Sequence, residues 1–394
     1  MIKYITLFLI SLFSLSLYNN LHANNLHADF QTIPILAYHS FSEPDTSQRK
    51  LRINVPPKKF LEQLQYLADN NYKVLPLEKF VEALNKKLPL PQKSVVITID
   101  DGVESVYSVA FPYLNKFNFC ATLFLTTNFV NKSFTWEMLN ELQNSGVIDI
   151  QGHTKTHHYC SLVRDLKTER KTSYLKRLEM ELLESKNIIE EKLNNKVKYL
   201  AYPYGKYDQF VIEKAKKYGY KALLTFHGGT NTLSSSPFNI NRQAVYGDFD
   251  LKKFISLLNI GHLKSYYLNP PLATYTFYKK PKIFAMIEEP INLNLYQILF
   301  KLDNKILPYN YDQKSGKLSL VFDKPLIQGG HFIKIQLVNK NTCIVEKEVG
   351  WVFTRQGIPF TTIKGIKLFL KIFLSLMLFG VLVIITYKIR RKNA

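Results

Sequence analysis

The chemistry of this chain is concentrated in two places: Asp100-Asp101-Gly102, which ends the apolar run Val95-Val96-Ile97-Thr98-Ile99, and His153-Thr154-Lys155-Thr156-His157. Side chains on a strand alternate between faces, and a buried carboxylate without a partner is costly. Two adjacent aspartates where a buried strand runs out therefore cannot both serve packing, and one of them requires a cation. His153 and His157 are four positions apart, a spacing that on a helical turn puts both imidazoles on one face. With one carboxylate from another strand end they make three protein ligands and leave a position for water, the arrangement of hydrolytic zinc sites. The His-x-x-x-His spacing alone is weak; with Asp-Asp-Gly about fifty residues earlier it becomes specific. His158 reads as a surface histidine.

The elements that position these residues follow from periodicity. From residue 33 to about 262, short apolar runs alternate with amphipathic segments. Strands are expected at 34–41, 95–100, 121–126, 148–153, 199–203 and 222–226. Helices are expected at 57–70, 77–85, 104–117, 135–145, 166–193, 208–218 and 250–258. This βα alternation predicts an α/β fold, a distorted barrel of about seven parallel strands. In such barrels the chemistry sits at the C-terminal strand ends, where Asp100, His153 and Tyr204 all fall.

Thr98-Ile99-Asp100-Asp101-Gly102, His153-Thr154-Lys155-Thr156-His157 and Tyr202-Pro203-Tyr204-Gly205 occur in the order and spacing of three motifs. They resemble those of the NodB-homology polysaccharide deacetylases, carbohydrate esterase family 4, over residues 33 to 255. The resemblance implies a metal-dependent hydrolase that removes acetyl groups from N-acetylhexosamine units of an envelope polysaccharide. It implies that Asp101, His153 and His157 bind a divalent metal, by family usage zinc. It also implies that Asp100 is the general base and that the backbone N–H of Tyr204 receives the oxyanion.

The chain departs from the family pattern at two points. Ala201 stands where the family places an arginine that orients the base, and Arg242 in Ile240-Asn241-Arg242-Gln243 is the candidate replacement. No late Leu-x-His motif supplies the general acid, and His262 has no recognisable context. The opening strand Pro34-Ile35-Leu36-Ala37-Tyr38-His39-Ser40 is similar to the branch that deacetylates poly-N-acetylglucosamine, which makes His39 the expected acid and His227 the alternative. Peptidoglycan and lipid-linked or lipopolysaccharide sugars are the other substrate readings. A non-catalytic glycan-binding scaffold is the reading from another class, motivated by Ala201.

The remaining sequence says where such a site would work. Residues 1–28 carry Lys3 and an apolar stretch to Tyr18, the pattern of a signal peptide or signal anchor. Residues 366–388 contain an apolar run at 368–387, interrupted by Lys371 alone, and basic residues follow it. They are expected to form a transmembrane helix, with residues 389–394 as a cytoplasmic tail and the catalytic part outside the cytoplasm. After Asn269-Pro270-Pro271 the helix signal stops. Alternating runs over 273–356 predict a small immunoglobulin-like β-sandwich, with Trp351 as a core anchor.

Net charge is +21, from 52 basic and 31 acidic residues, which favours anionic envelope polymers or lipid head groups. Nucleic acid is not an expected partner of an exported chain. The three cysteines, Cys120, Cys160 and Cys343, are too few and too scattered for a disulfide scaffold.

Overall fold

A computed structural model of the chain describes residues 31–43, 52–131, 133–157, 162–165 and 168–356. The segments expected at 1–28, 366–388 and 389–394 lie outside the described residues, as do His158 and Cys160. Among the described residues no helix is long and apolar enough to cross a membrane.

The first unit is built on strands β1 (Ile35–Tyr38), β2 (Lys73–Val74), β3 (Ser94–Asp101), β4 (Ala121–Leu125), β5 (Ile148–Gly152), β6 (Tyr199–Ala201), β7 (Ala222–Leu224) and β8 (Gln243–Ala244). Seven of them follow the order β7-β6-β5-β4-β3-β1-β8, all pairs parallel, and β2 joins the start of β3. Ile240, just ahead of β8, bridges Leu224 in β7, so the sheet curls round toward a ring. The expected distorted barrel is what forms, because strands covered on both faces must be apolar nearly throughout.

Strand parity decides which side chains see the helices and which see the barrel interior. Val95, Ile97 and Ile99 of β3 and Leu123 and Leu125 of β4 face outward, onto helices that contribute Phe60, Leu64, Leu114 and Leu139. The opposite parity puts Val96, Phe124, Tyr199, Ala201 and Leu224 inside, where Leu77, Phe80, Val81 and Leu84 of the helix Leu77–Lys86 join them. Each such side chain contributes about 1.5–3 kcal/mol on burial. Thr98, Asp100, Gln151 and His153 share the inward parity and are all buried, so the polar residues lie inside the barrel above an apolar plug.

The long helix expected at 166–193 is a helical run in three parts, Lys171–Glu179, a π-turn at Met180–Glu184, and Ser185–Leu193. Asp208 and Asp250 cap the helices Gln209–Lys217 and Leu251–Leu258 by accepting the backbone N–H of Val211 and Lys253.

The second unit is a β-sandwich that begins ahead of the expected start at 273: Gly261–His262 pairs with Val345–Arg355, and the strand Ser265–Asn269 follows. That strand, Phe284–Ile287, Lys317–Leu320 and Tyr309–Asp312 form one antiparallel sheet. The other is dominated by Gly329–Asn339 and Val345–Arg355, with Tyr296–Leu302 beside the former. Ala285, Phe300, Leu318, Ile333, Ile335 and Phe353 fill the space between the sheets. Trp351 is buried there and donates its indole N–H to the carbonyl of Pro270 at 3.0 Å. Phe332 and Val352 belong instead to the barrel's own core, so the two units share a continuous apolar seam.

Candidate active site

Asp100 ends the inward-facing row of β3, whereas Asp101 by strict alternation would face the helices. It does not, because Asp101 adopts φ 73° and turns out of the strand, followed by Gly102 at φ 85°. A Cβ on Gly102 would collide with the Leu125 side chain, so the sharp exit requires glycine. The two carboxylates therefore reach the same mouth by different routes, one by strand parity and the other by a kink.

His153 extends β5 beside them. Its Nδ1–H donates to the carbonyl of Ala201 at 2.8 Å, which leaves Nε2 directed at Asp101 Oδ1, 3.5 Å away. His157 Nε2 lies 3.7 Å from the same oxygen. The helical turn expected at 153–157 is not what forms. Thr154 and His157 have φ of 71° and 51°, and the segment is an irregular loop. The physical reason is Glu181, wholly buried on the π-turn of the long helix. It accepts the backbone N–H groups of Lys155 and Thr156 at 2.9 Å each and the Thr156 hydroxyl. Those N–H groups thus bond to a side chain from another element rather than to a helix, and the loop carries both imidazoles to one point. Glu181 was missed in the sequence, although a charge within the stripe Tyr174, Leu178, Leu182, Ile189 was its signal.

Asp101 Oδ1, His153 Nε2 and His157 Nε2 form a group whose ligand atoms all lie within 4.8 Å of one another. Asp101 Oδ1 is buried and has no hydrogen-bond partner. An orphaned carboxylate oxygen facing two imidazole nitrogens fits a divalent cation of the zinc type. The charge states agree. Burial raises the Asp101 pKa to about 6, and burial lowers that of His153 to about 3, so His153 is a neutral ligand near neutrality.

Asp100 lies in different surroundings. Arg242 is fully buried and forks onto it, NH1 to Oδ1 at 2.6 Å and NH2 to Oδ2 at 2.7 Å. NH1 also donates to the Thr98 hydroxyl at 3.1 Å and Nε to the carbonyl of Thr225 at 2.7 Å, while the rings of Phe124 and Phe226 flank the guanidinium. Burial alone would raise the Asp100 pKa. Arg242, with His153 and His39, outweighs it and holds the carboxyl well below the usual range. Arg242 thus occupies the tethering role left open by Ala201, and Ala201 contributes its backbone oxygen to His153.

Three residues complete the comparison with expectation. His39 follows β1, lies edge-on to Phe226 at 5.1 Å, and has a buried Nδ1 without a partner. Tyr204 lies in the turn Pro203–Gly205 at φ 57°, 45% exposed, its ring 4.8 Å from that of His157. His227 is stacked on Phe332 at 4.4 Å and packed against Gly205. Burial lowers its pKa to about 4, with Lys334 acting in the same direction.

The comparisons with known proteins point the same way. Residues 87–223 match the polysaccharide deacetylase family. A Bacillus subtilis protein whose name assigns it to polysaccharide deacetylation is 28% identical over 216 residues, 54% of this chain and 71% of its own length. The poly-β-1,6-N-acetyl-D-glucosamine N-deacetylase of Staphylococcus epidermidis is 27% identical over 202 residues, 50% of this chain and 69% of that protein. Among solved structures, the Streptococcus pyogenes deacetylase PplD, in complex with acetate, superposes with a TM-score of 0.51 at 25% identity, covering 58% of this chain and 99% of that one. The barrel of this chain is a polysaccharide deacetylase domain of the NodB-homology, carbohydrate esterase 4 type.

Proposed function

We propose that this protein is a divalent-metal-dependent N-deacetylase of an N-acetylated envelope glycan, with poly-N-acetylglucosamine as its substrate. The observation that carries the reading is the pairing of an orphaned Asp101 Oδ1, faced by His153 and His157, with an Asp100 held ionised by the Arg242 fork. A cation at Asp101, His153 and His157 would supply Lewis-acid polarisation of the acetamide carbonyl and acidify water. Asp100 accepts the proton of the attacking water, and the Arg242 fork keeps the carboxylate ionised and in one orientation. The backbone N–H of Tyr204 serves the developing oxyanion. His39, with Nδ1 free of other partners, delivers a proton to the departing amine.

The substrate choice rests on the His39 strand and on the names of relatives that include the Staphylococcus epidermidis enzyme. Peptidoglycan and lipid-linked sugars are the competing substrates. The apolar run at 368–387 supports a membrane-anchored protein whose barrel works outside the cytoplasm, where an exported glycan emerges. The scaffold reading loses its motive, because Arg242 stands in for the arginine missing at Ala201. The test is acetate release by the purified full chain, with and without zinc, from defined β-1,6- and β-1,4-linked N-acetylglucosamine oligomers. Faster release from the β-1,6 series supports the proposal; bound zinc with no acetate from any glycan overturns it.

A further inference from the structure

The seam between barrel and sandwich is not only apolar. Glu348, on the strand Val345–Arg355, is 1% exposed, and its carboxylate faces the barrel. Oε1 accepts the backbone N–H of Gly229 at 2.7 Å and the side-chain amide of Gln243 at 2.6 Å, while Oε2 accepts the amide of Gln336 at 2.8 Å. Gln243 is the residue after Arg242 and the first of β8, where it pairs with Leu36 of β1. Its amide also reaches the carbonyl of Gly229 at 3.2 Å, so Glu348 ties the loop after β7 to the strand that delivers Arg242.

A second contact crosses the same seam. Phe332, on the strand Gly329–Asn339, stacks on His227 with rings 19° from parallel. Behind His227 is Gly205, at φ 66°, where an added Cβ would lie 2.9 Å from the imidazole and 2.7 Å from the backbone nitrogen of Phe226. That close approach leaves the Tyr204–Gly205 turn backed by His227, and His227 backed by Phe332. Asp303 fixes Phe332 in turn, accepting its backbone N–H at 2.9 Å.

We propose that the sandwich is part of the catalytic apparatus: Glu348 and Phe332 are positioning residues that set, through Gln243 and His227, the Arg242 fork on Asp100 and the Tyr204–Gly205 turn. The physical argument is one of cost. A docking surface needed only for cohesion is made more cheaply from apolar side chains, since each buried carboxylate carries a desolvation penalty of several kcal/mol. What hydrogen bonds to a buried carboxylate supply is orientation. Here that orientation is applied one residue from Arg242, where a displacement of about 1 Å can cost about a hundredfold in rate.

The inference rests on the deacetylase reading for its kinetic test and not for its structural one. In the full chain, Glu348→Ala should lower kcat for acetate release from a β-1,6-linked N-acetylglucosamine pentamer about 10- to 100-fold, and Phe332→Ala, which acts through His227, about 3- to 10-fold, each with KM within about threefold. Zinc stoichiometry should be unchanged, because Asp101, His153 and His157 are outside this network. Glu348→Gln should recover most of the loss, since its amide oxygen can still accept from Gly229 and Gln243. Ile298→Ala, in the sandwich core away from the seam, should lower the thermal midpoint and leave kcat unchanged.

Hydrogen exchange supplies the readout that needs no substrate. Peptides covering 202–206 and 240–244 should exchange at least about tenfold faster in Glu348→Ala or Phe332→Ala and not in Ile298→Ala. Wild-type kcat and exchange in a folded Glu348→Ala, or an equal kcat loss in Ile298→Ala, overturns the proposal. Where Glu348→Ala does not fold, Glu348→Gln and Phe332→Leu are read by the same two criteria. A wild-type chain that releases no acetate rejects the deacetylase reading, and the exchange pattern still decides the positioning role.

Discussion

Two corners of the barrel mouth, a few ångströms apart, are held by opposite means. The corner of Asp101, His153 and His157 is made from the ends of β3 and β5, on either side of β4, and a loop, is partly open, and leaves a carboxylate oxygen without a donor. The corner of Asp100 is closed: Arg242 arrives from 142 residues away, and every one of its nitrogens has a partner. On the proposed function, a site that admits a cation retains unmet bonding capacity, and a base that keeps one orientation does not. On that reading the first corner would be completed by the cation it binds. The second is complete in the fold, with the sandwich behind it.

That contrast can be broken most severely at the aspartates themselves. Asp100→Asn should lower kcat about 10³-fold while bound zinc persists, whereas Asp101→Asn should lose zinc affinity and turnover together. Acetate release and zinc content, measured on the same samples, separate the two, and equal behaviour would erase the distinction between the corners. The apo forms should differ in the reverse sense. Asp101→Asn removes a carboxylate destabilised by burial, so its metal-free thermal midpoint should equal or exceed that of the wild type, while Asp100→Asn should lower it.

Arg242→Met comes next. It leaves Asp100 buried and unpaired, and should destabilise the fold by about 3–5 kcal/mol in urea titration. A cost below about 1 kcal/mol would mean that the second corner is not held by the fork.

Smaller effects are expected at the histidines. His39→Ala should cost about 10²-fold in kcat as the loss of a general acid, and His227→Ala less than about tenfold, because His227 only backs the Tyr204–Gly205 turn. A larger loss at His227 would move the acid to the other side of the mouth.

The smallest effect is a pH dependence of the open corner. With no cation present, burial raises the Asp101 pKa to about 6, above the ordinary carboxylate value. A raised carboxylate favours the folded state while protonated, and that contribution is lost as pH climbs through about 6. A cation takes the proton's place. Chelation should therefore lower the thermal midpoint by several degrees more at pH 7.5 than at pH 5, and a fall independent of pH would show that Asp101 is not among the ligands.

The amino-acid sequence determined the alternation of faces along β3, the βα alternation, and the strand-end placement of Asp100 and His153, because periodicity and short motifs are local properties. It also singled out Arg242 as a candidate tether, though not the reason. Tertiary structure decided the rest. The kink that brings Asp101 to the face of Asp100 depends on Leu125 closing in on Gly102. The non-helical loop at 153–157 depends on Glu181, and the fork on Asp100 on a strand brought to β1 by a ring closing through Ile240 and Leu224. The seam through Glu348 and Phe332 joins residues more than a hundred positions from those they hold. A buried polar group is stable only with its partners in place, and chain separation of that order leaves no periodic trace in the sequence; only the folded chain chooses which groups meet.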